Sequence, residues 1–308
     1  MATQQRILVV VDPTALAHPA VERAAWVARA VPSTVELFIC DYDSSLADTR
    51  NAEARATRIS QHKARLGQLA GPLIAAGIDV TVDARWDPPL HDGIVRKALE
   101  LGADLVVKDT HFHSALKRSI FSNTDWNLIR NCASPLWLVK PRLPGQKPRF
   151  VAAVDPLHAR DKPADLDNKI LRLASTLASA LDGEVHVFHG FDIAPALALS
   201  SDSMAMPTAA PVRELTDAMR VEHTDAVLEL CARHRIPADL IHVHEGSTRD
   251  LLMALTEELN ADAVVMGAVS RSGLKALFVG NTAEDVLDRL PCDLLIVKPD
   301  GFKAVLPA

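Results

Sequence analysis

Short apolar runs rich in β-branched residues recur along the chain, separated by longer stretches in which apolar positions return every three or four residues. Runs such as Val9-Val10-Val11 and Val264-Val265-Met266 show no polar alternation, the pattern of strands covered on both faces. Strands are predicted near 6–11, 34–40, 78–84, 103–108 and 135–140, and again near 149–154, 184–189, 237–244, 262–266 and 292–298. Between them, Val21 to Val31 and Lys169 to Leu181 carry apolar residues at i, i+3 and i+4, the spacing of helices with one buried face. Strand and helix in alternation imply parallel strands joined by right-handed crossovers, a doubly wound α/β design.

The design occurs twice. RILVVVDP at Arg6 to Pro13 recurs as RFVAAVDP at Arg149 to Pro156, ADLVVKDT from Ala103 as ADAVVMGA from Ala261, and SPLWLVKP from Ser134 as CDLLIVKP from Cys292. The matches run in the same order, so the chain reads as a tandem duplication. Turn residues at Leu143 to Lys147 mark the junction, giving units 1–143 and 148–308. Each unit is expected to form a five-stranded sheet of order 3-2-1-4-5, the two related by a pseudo-twofold axis. The last strands, Leu136 to Val139 and Leu294 to Val297, are apolar and would be aggregation-prone edges if left open. They are predicted to pair with each other.

Composition narrows the function. The 308 residues carry a formal net charge of -6 and 4% aromatics, which gives a nucleic-acid partner neither electrostatic support nor base-stacking surfaces, so none is expected. No apolar run reaches the roughly 18 residues of a membrane span, and the N-terminus lacks the features of a signal peptide. Cys40, Cys132, Cys231 and Cys292 lie far apart with no CxxC, so reduced thiols and a cytoplasmic location are expected.

The first-strand aspartates Asp12 and Asp155, the long connection after each fourth strand and the closing VKP resemble the universal stress protein family. Two units in one chain, with NTDW in the first connection and GNTAE in the second, are similar to its tandem, E-type members. The resemblance implies, for the members that bind ATP, a loop G-x2-G-x9-G-[ST] after the fourth strand. The second unit reads Gly267-x2-Ser270-x9-Gly280-Asn281, whereas the first reads Asp109-x2-Phe112-x9-Ser122-Asn123. Glycines let backbone amides approach phosphate oxygens and permit positive φ. Asn281 with Glu284 resembles a capping box, so a helix start there offers amides to an anion. Asp109 and Phe112 at the corresponding place would repel charge and fill volume, so the first loop is not expected to hold a triphosphate.

The expected ligand residues are therefore Asp155, Gly190, Gly267, Ser270, Gly280, Asn281 and Thr282, all in the second unit, with Asp155 and Gly190 assigned through the resemblance. Ligands of doubly wound sheets sit beyond the carboxyl ends of the strands where the order reverses. The residues alone leave a second reading open, in which the loop is a tight turn and Asp155 caps a turn before Pro156. ATP is expected in the second unit only, and no metal beyond magnesium accompanying the nucleotide. His111 and His113, His242 and His244, and His186 and His189 lack a cysteine or carboxylate at ligand spacing and are not read as metal sites.

Ile193 to Val212 is a long apolar connection with two methionines and little helical patterning, either a mobile loop or a lid over a small apolar ligand. No GxSxG, Walker A, HExxH or full GxGxxG motif occurs, so the sequence reads as a binding protein and not as an enzyme, with slow ATP hydrolysis left open. A stress-response protein regulated by an adenine nucleotide leads. A scaffold or carrier acting through protein partners or an apolar ligand is the alternative, and an adenylating enzyme is weakest. A homodimer is compatible with either.

Overall fold

The computed structural model describes residues 4–113, 118–120, 122–142, 144–157, 165–193, 209–268, 289–304 and 306. The first half runs β1 (Gln5–Val10), α1 (Pro19–Ala30), β2 (Ser33–Asp41), α2 (Ala52–Ala75), β3 (Asp79–Trp86), α3 (Leu90–Leu101), β4 (Leu105–Asp109), β5 (His111–His113), β6 (Arg118–Ile120), α4 (Asn123–Asn131) and β7 (Leu136–Val139). The second half runs β8 (Arg149–Ala153), α5 (Leu166–Ala180), β9 (Glu184–Phe191), α6 (Ala209–Arg233), β10 (Ile241–Glu245), α7 (Thr248–Glu258), β11 (Ala263–Gly267) and β12 (Asp293–Val297).

Ten strands form one sheet in the order β10-β9-β8-β11-β12-β7-β4-β1-β2-β3. Each half has the expected 3-2-1-4-5 order, parallel throughout. The halves meet through their last strands, β7 and β12, which pair antiparallel with Trp137 opposite Leu295. Successive side chains on a strand point to opposite faces, and the core divides accordingly. Ile7 and Val9 pack with Ala24 of α1 and Leu66 of α2, while Leu8 and Val10 pack with Ile94 of α3 and Leu128 of α4. In the second half α5 and α6 cover the first of these faces and α7 the second. Each such valine, leucine or isoleucine side chain contributes about 1.5–3 kcal/mol when fully buried.

Helix ends follow the local sequence. Pro19 opens α1, where its fixed φ suits the first turn. Ser122 and Asp125 form a reciprocal capping box at α4, and α3 stops at Gly102 in the left-handed conformation (φ 61°). The two halves are also joined by one buried carboxylate. Asp293 at the start of β12 pairs with Arg23 Nε of α1 (3.0 Å) and accepts from Trp137 Nε1 (3.0 Å) and the Lys140 amide (2.9 Å). Arg23 and Asp293 are both almost wholly buried.

Three expectations on secondary structure are corrected. The strand predicted from 237 begins only at Ile241, because Pro237, which has no amide to give a ladder, instead starts a short 3-10 turn at Ala238–Leu240. The segment Ile193 to Val212 ends in helix, since α6 begins at Ala209; residues 194–208 lie outside the described residues. The connection after β4 contains a small antiparallel hairpin, β5 with β6, which the apolar pattern did not signal.

Candidate functional site

In the second half the carboxyl ends of β8 and β11 lie side by side, Ala153 opposite Met266, at the point where the strand order reverses. Asp155 follows two residues past the end of β8. Its amide donates to Asp167 Oδ1 of α5 (3.2 Å), and its own side chain is 42% exposed. Of the expected ligand residues, Asp155, Gly190 and Gly267 are thus brought to one rim. Ser270, Gly280, Asn281 and Thr282 lie outside the described residues.

The glycines at 190 and 267 have packing roles. A Cβ on Gly267 would come within 2.5 Å of Leu166 Cδ2 and 3.0 Å of its Cγ, on the first turn of α5. A Cβ on Gly190 would meet Thr248 Oγ1 at 2.9 Å and its Cα at 3.0 Å, where α7 begins, and the Thr248 hydroxyl donates to the Gly190 carbonyl (3.1 Å). Gly267 ends β11 without a positive φ, so the expected need for left-handed backbone there is corrected: what it requires is close approach of a helix.

Behind Asp155 lies a histidine pair. His189 near the end of β9 is 1% exposed, and His223 on α6 is 7% exposed. Their rings contact through His189 Nε2 and His223 Nδ1 at 2.7 Å, and His189 Nδ1 lies 2.9 Å from the Val154 carbonyl. A centroid separation of 5.0 Å, with planes 23° apart, leaves little more than a ring radius on either side of that contact, so the rings lie end to end. Phe191 stacks face to face on His223 at 4.5 Å. Asp155 Oδ1 is 3.9 Å from His189 Nδ1.

The matching rim of the first half is filled by its own side chains. Asp41 at the end of β2 is buried and accepts from Arg58 Nε (2.5 Å) and His62 Nε2 (2.7 Å), both on α2. Arg65, further along α2, donates to the carbonyls of Pro13 and Ala15 (2.7 Å to the latter). Asp109 does not project as a repulsive group toward an incoming phosphate. Its Oδ1 accepts from the Ala20 amide (2.6 Å) and so occupies the anion position that the start of α1 offers. Burial pushes the Asp109 carboxyl up to about 7, against the opposing effects of that amide and of Lys108. Asp109 Oδ2 and His18 Nδ1 are buried with no hydrogen-bond partner among the described residues. Lys108 anchors the other side of the connection, pairing with the fully buried Asp125 (2.7 Å).

His223 and Phe191 were not anticipated from sequence. A signal did exist: counted back from the ends of α2 at Ala75 and α6 at Arg233, His223 holds the position that Arg65 holds in the first half. The second histidine group lies on the opposite face of the sheet, with His186 Nδ1 3.1 Å from His242 Nε2 across β9 and β10. Burial lowers the pKa of both rings and so favours their neutral forms. Among the described residues no group of three or more His, Cys, Asp or Glu side chains could hold a metal ion, and no helix is long and apolar enough to cross a membrane.

Comparison with known proteins agrees with this architecture. The model of the universal stress protein family matches the chain twice, at residues 4–140 and 151–298. Universal stress protein E of Photorhabdus laumondii is 31% identical over 316 aligned residues, covering 100% of this chain and 99% of that protein. Universal stress protein E of Escherichia coli K12 is also 31% identical, covering 98% and 96%. A crystal structure of a putative universal stress protein from Pseudomonas aeruginosa superposes with a TM-score of 0.75 at 27% identity, covering 96% of this chain and 94% of that one. Twofold matching along the sequence, full-length relatives and a shared sheet lead to one conclusion: the chain belongs to the universal stress protein family, as a tandem member.

Proposed function

We propose that this stress-response protein binds an adenine nucleotide, ATP foremost, as a regulatory ligand in the second of its two units (1–143 and 148–308), and catalyses no reaction of its own. One observation carries the reading: the two rims differ. In the first half Arg65, Asp41 and Asp109 fill the strand ends with internal bonds, whereas in the second Asp155, its side chain 42% exposed, stands beside the glycine-ended β11. Aspartate at the end of the first strand and glycines after the fourth are the features the family uses for nucleotide. The loop of Gly267, Ser270, Gly280, Asn281 and Thr282 would supply amides to phosphates, with magnesium arriving on the nucleotide. The cytoplasm is the compartment we assign.

Titration calorimetry of the full chain with magnesium ATP tests this, alongside mass spectrometry of small molecules released from protein purified without added nucleotide. One ATP per chain is expected, lost in Asp155→Ala and retained in Asp12→Ala. Absence of binding, or a stoichiometry of two, would overturn the assignment.

A further inference from the structure

One side chain of α7 is seated against the end of β9. Ser247 caps this helix, its side chain accepting from the Asp250 amide (3.4 Å), so Thr248 in the first turn is not needed as a cap. Gly190 supplies the room: a Cβ there would stand 2.9 Å from Thr248 Oγ1 and 3.0 Å from Thr248 Cα. With no side chain in the way, the Thr248 hydroxyl reaches the Gly190 carbonyl and donates to it across an exposed contact of 3.1 Å. Thr248 itself is exposed.

A hydroxyl has one proton and two lone pairs. Here the proton is committed to Gly190, and what the oxygen has left for a ligand is acceptor capacity. The neighbouring backbone is committed in the same sense. The Gly246 amide donates to the Phe191 carbonyl (2.8 Å), so this corner presents carbonyl and hydroxyl oxygens, with the Gly246 amide already used. In the sheet, β9 lies next to β8, and β8 next to β11. Adjacent strands are about 4.8 Å apart, which places the end of β9 about 10 Å from that of β11, on the far side of β8. A nucleotide with its phosphates beyond Gly267 that passes Asp155 brings its other end, the base, to Gly190 and Thr248.

We infer that Thr248 selects the base, favouring one that presents an exocyclic amine to this oxygen over one that presents a carbonyl, and so an amino-purine over an oxo-purine. This selection rests on the nucleotide reading above and adds to it the residue that reads the base. An amine donates to a lone pair of Thr248 Oγ1 while the bond to Gly190 stays. A carbonyl is met only by turning the hydroxyl away from Gly190, or by setting two acceptors against each other. The preference is therefore worth one hydrogen bond, about tenfold to hundredfold in affinity.

The test is titration calorimetry of the full chain with the magnesium complexes of ATP and of inosine triphosphate, which carry an amine and a carbonyl at the same ring position. The wild type is compared with Thr248→Val, which keeps the branched shape and lacks the hydroxyl, and with Thr248→Ser, which keeps the hydroxyl; thermal melts check that all three fold. The wild type should prefer ATP by about tenfold to hundredfold, Thr248→Ser should retain that preference, and Thr248→Val should bring the two affinities to within about threefold. Equal affinities in the wild type, or an undiminished preference in Thr248→Val, would overturn the selection and leave the nucleotide reading intact. If Thr248→Val binds neither ligand, Thr248→Ser decides: a kept preference supports the selection and a lost one overturns it. No binding of either ligand by any of the three proteins would overturn the nucleotide reading, and the selection with it.

Discussion

Asp109→Asn should raise stability at neutral and alkaline pH, and the gain should vanish in acid. In the folded chain the Asp109 carboxyl is pushed up to about 7 from an ordinary 3.8, chiefly by burial. Between those values the folded state holds a proton that the unfolded state has released, so stability from this group is complete below about pH 4 and is lost as pH rises through 7. The shift of about 3 units corresponds to about 4 kcal/mol, an upper bound because side chains and solvent rearrange around the charge. Asparagine keeps the carbonyl that accepts from Ala20 and carries no charge, so the variant lacks that loss. Urea unfolding of both proteins from pH 4 to 8.5 gives a difference curve in which other titrating groups cancel. Variant and wild type should nearly coincide at pH 4, with the variant ahead by about 2–4 kcal/mol at pH 8. A flat curve, or a variant that is less stable at pH 8, would refute the argument. The second outcome would mean that the ionised carboxylate at the start of α1 gains more from the helix dipole than it loses by burial.

Lys298 is 1% exposed, its Nζ has no hydrogen-bond partner among the described residues, and burial lowers its pKa to about 7. Lys298→Met should therefore stabilise the chain below pH 7 by up to about 4–5 kcal/mol, the advantage shrinking toward pH 10 as the wild-type amine folds uncharged; thermal melts at pH 6, 8 and 10 check it. Asp293→Asn weakens the charge partner of Arg23 while preserving shape, and should cost about 3–5 kcal/mol in urea unfolding; an unchanged midpoint would show that the buried pair contributes nothing. Gly267→Val should lower the melting temperature by driving a side chain into Leu166, at a cost of about 1–3 kcal/mol, and Leu166→Ala in the same chain should restore part of it. Ser270→Gly should raise ATP affinity up to about fivefold by removing about 1 kcal/mol of strain expected at a left-handed serine, while Asp109→Gly should create no first-half site; weaker binding in Ser270→Gly would mean that the hydroxyl holds phosphate.

Strand order, duplication and the β7–β12 junction were legible because burial on both faces writes itself as uninterrupted valine and leucine, and because an apolar last strand needs a neighbour. The 3-10 turn at Ala238 was missed because the apolar Leu240 and Ile241 read as part of a strand reaching back to 237, although Pro237 at its start removes a ladder amide. The ligand rim was only half legible. Gly267 and Gly190 were visible as glycines, but not that Leu166 and Thr248 dictate them, since a contact between distant segments leaves no local mark. His189 and His223 are 34 residues apart and belong to different periodicities, so nothing in either window announces their contact. In the first half, the inward turn of Asp109 depends on where α1 begins, which spacing alone does not fix.

The fused chain frees each half from copying the other. Were two identical short chains to associate through their last strands, any residue opening that strand would appear twice, and a buried carboxylate would demand a matching arginine on both sides. Here the position of Asp293 is held in the first half by Pro135, so the charge occurs once, beside Arg23 and against the rim where Asp109 lies. Because the two sheets run antiparallel at their junction, that rim lies on the opposite edge of the sheet from Asp155 and the histidine pair. Fusion has therefore let one edge of the molecule become a fastening and left the opposite edge to change by itself, a division of labour that no symmetric pair of chains can encode.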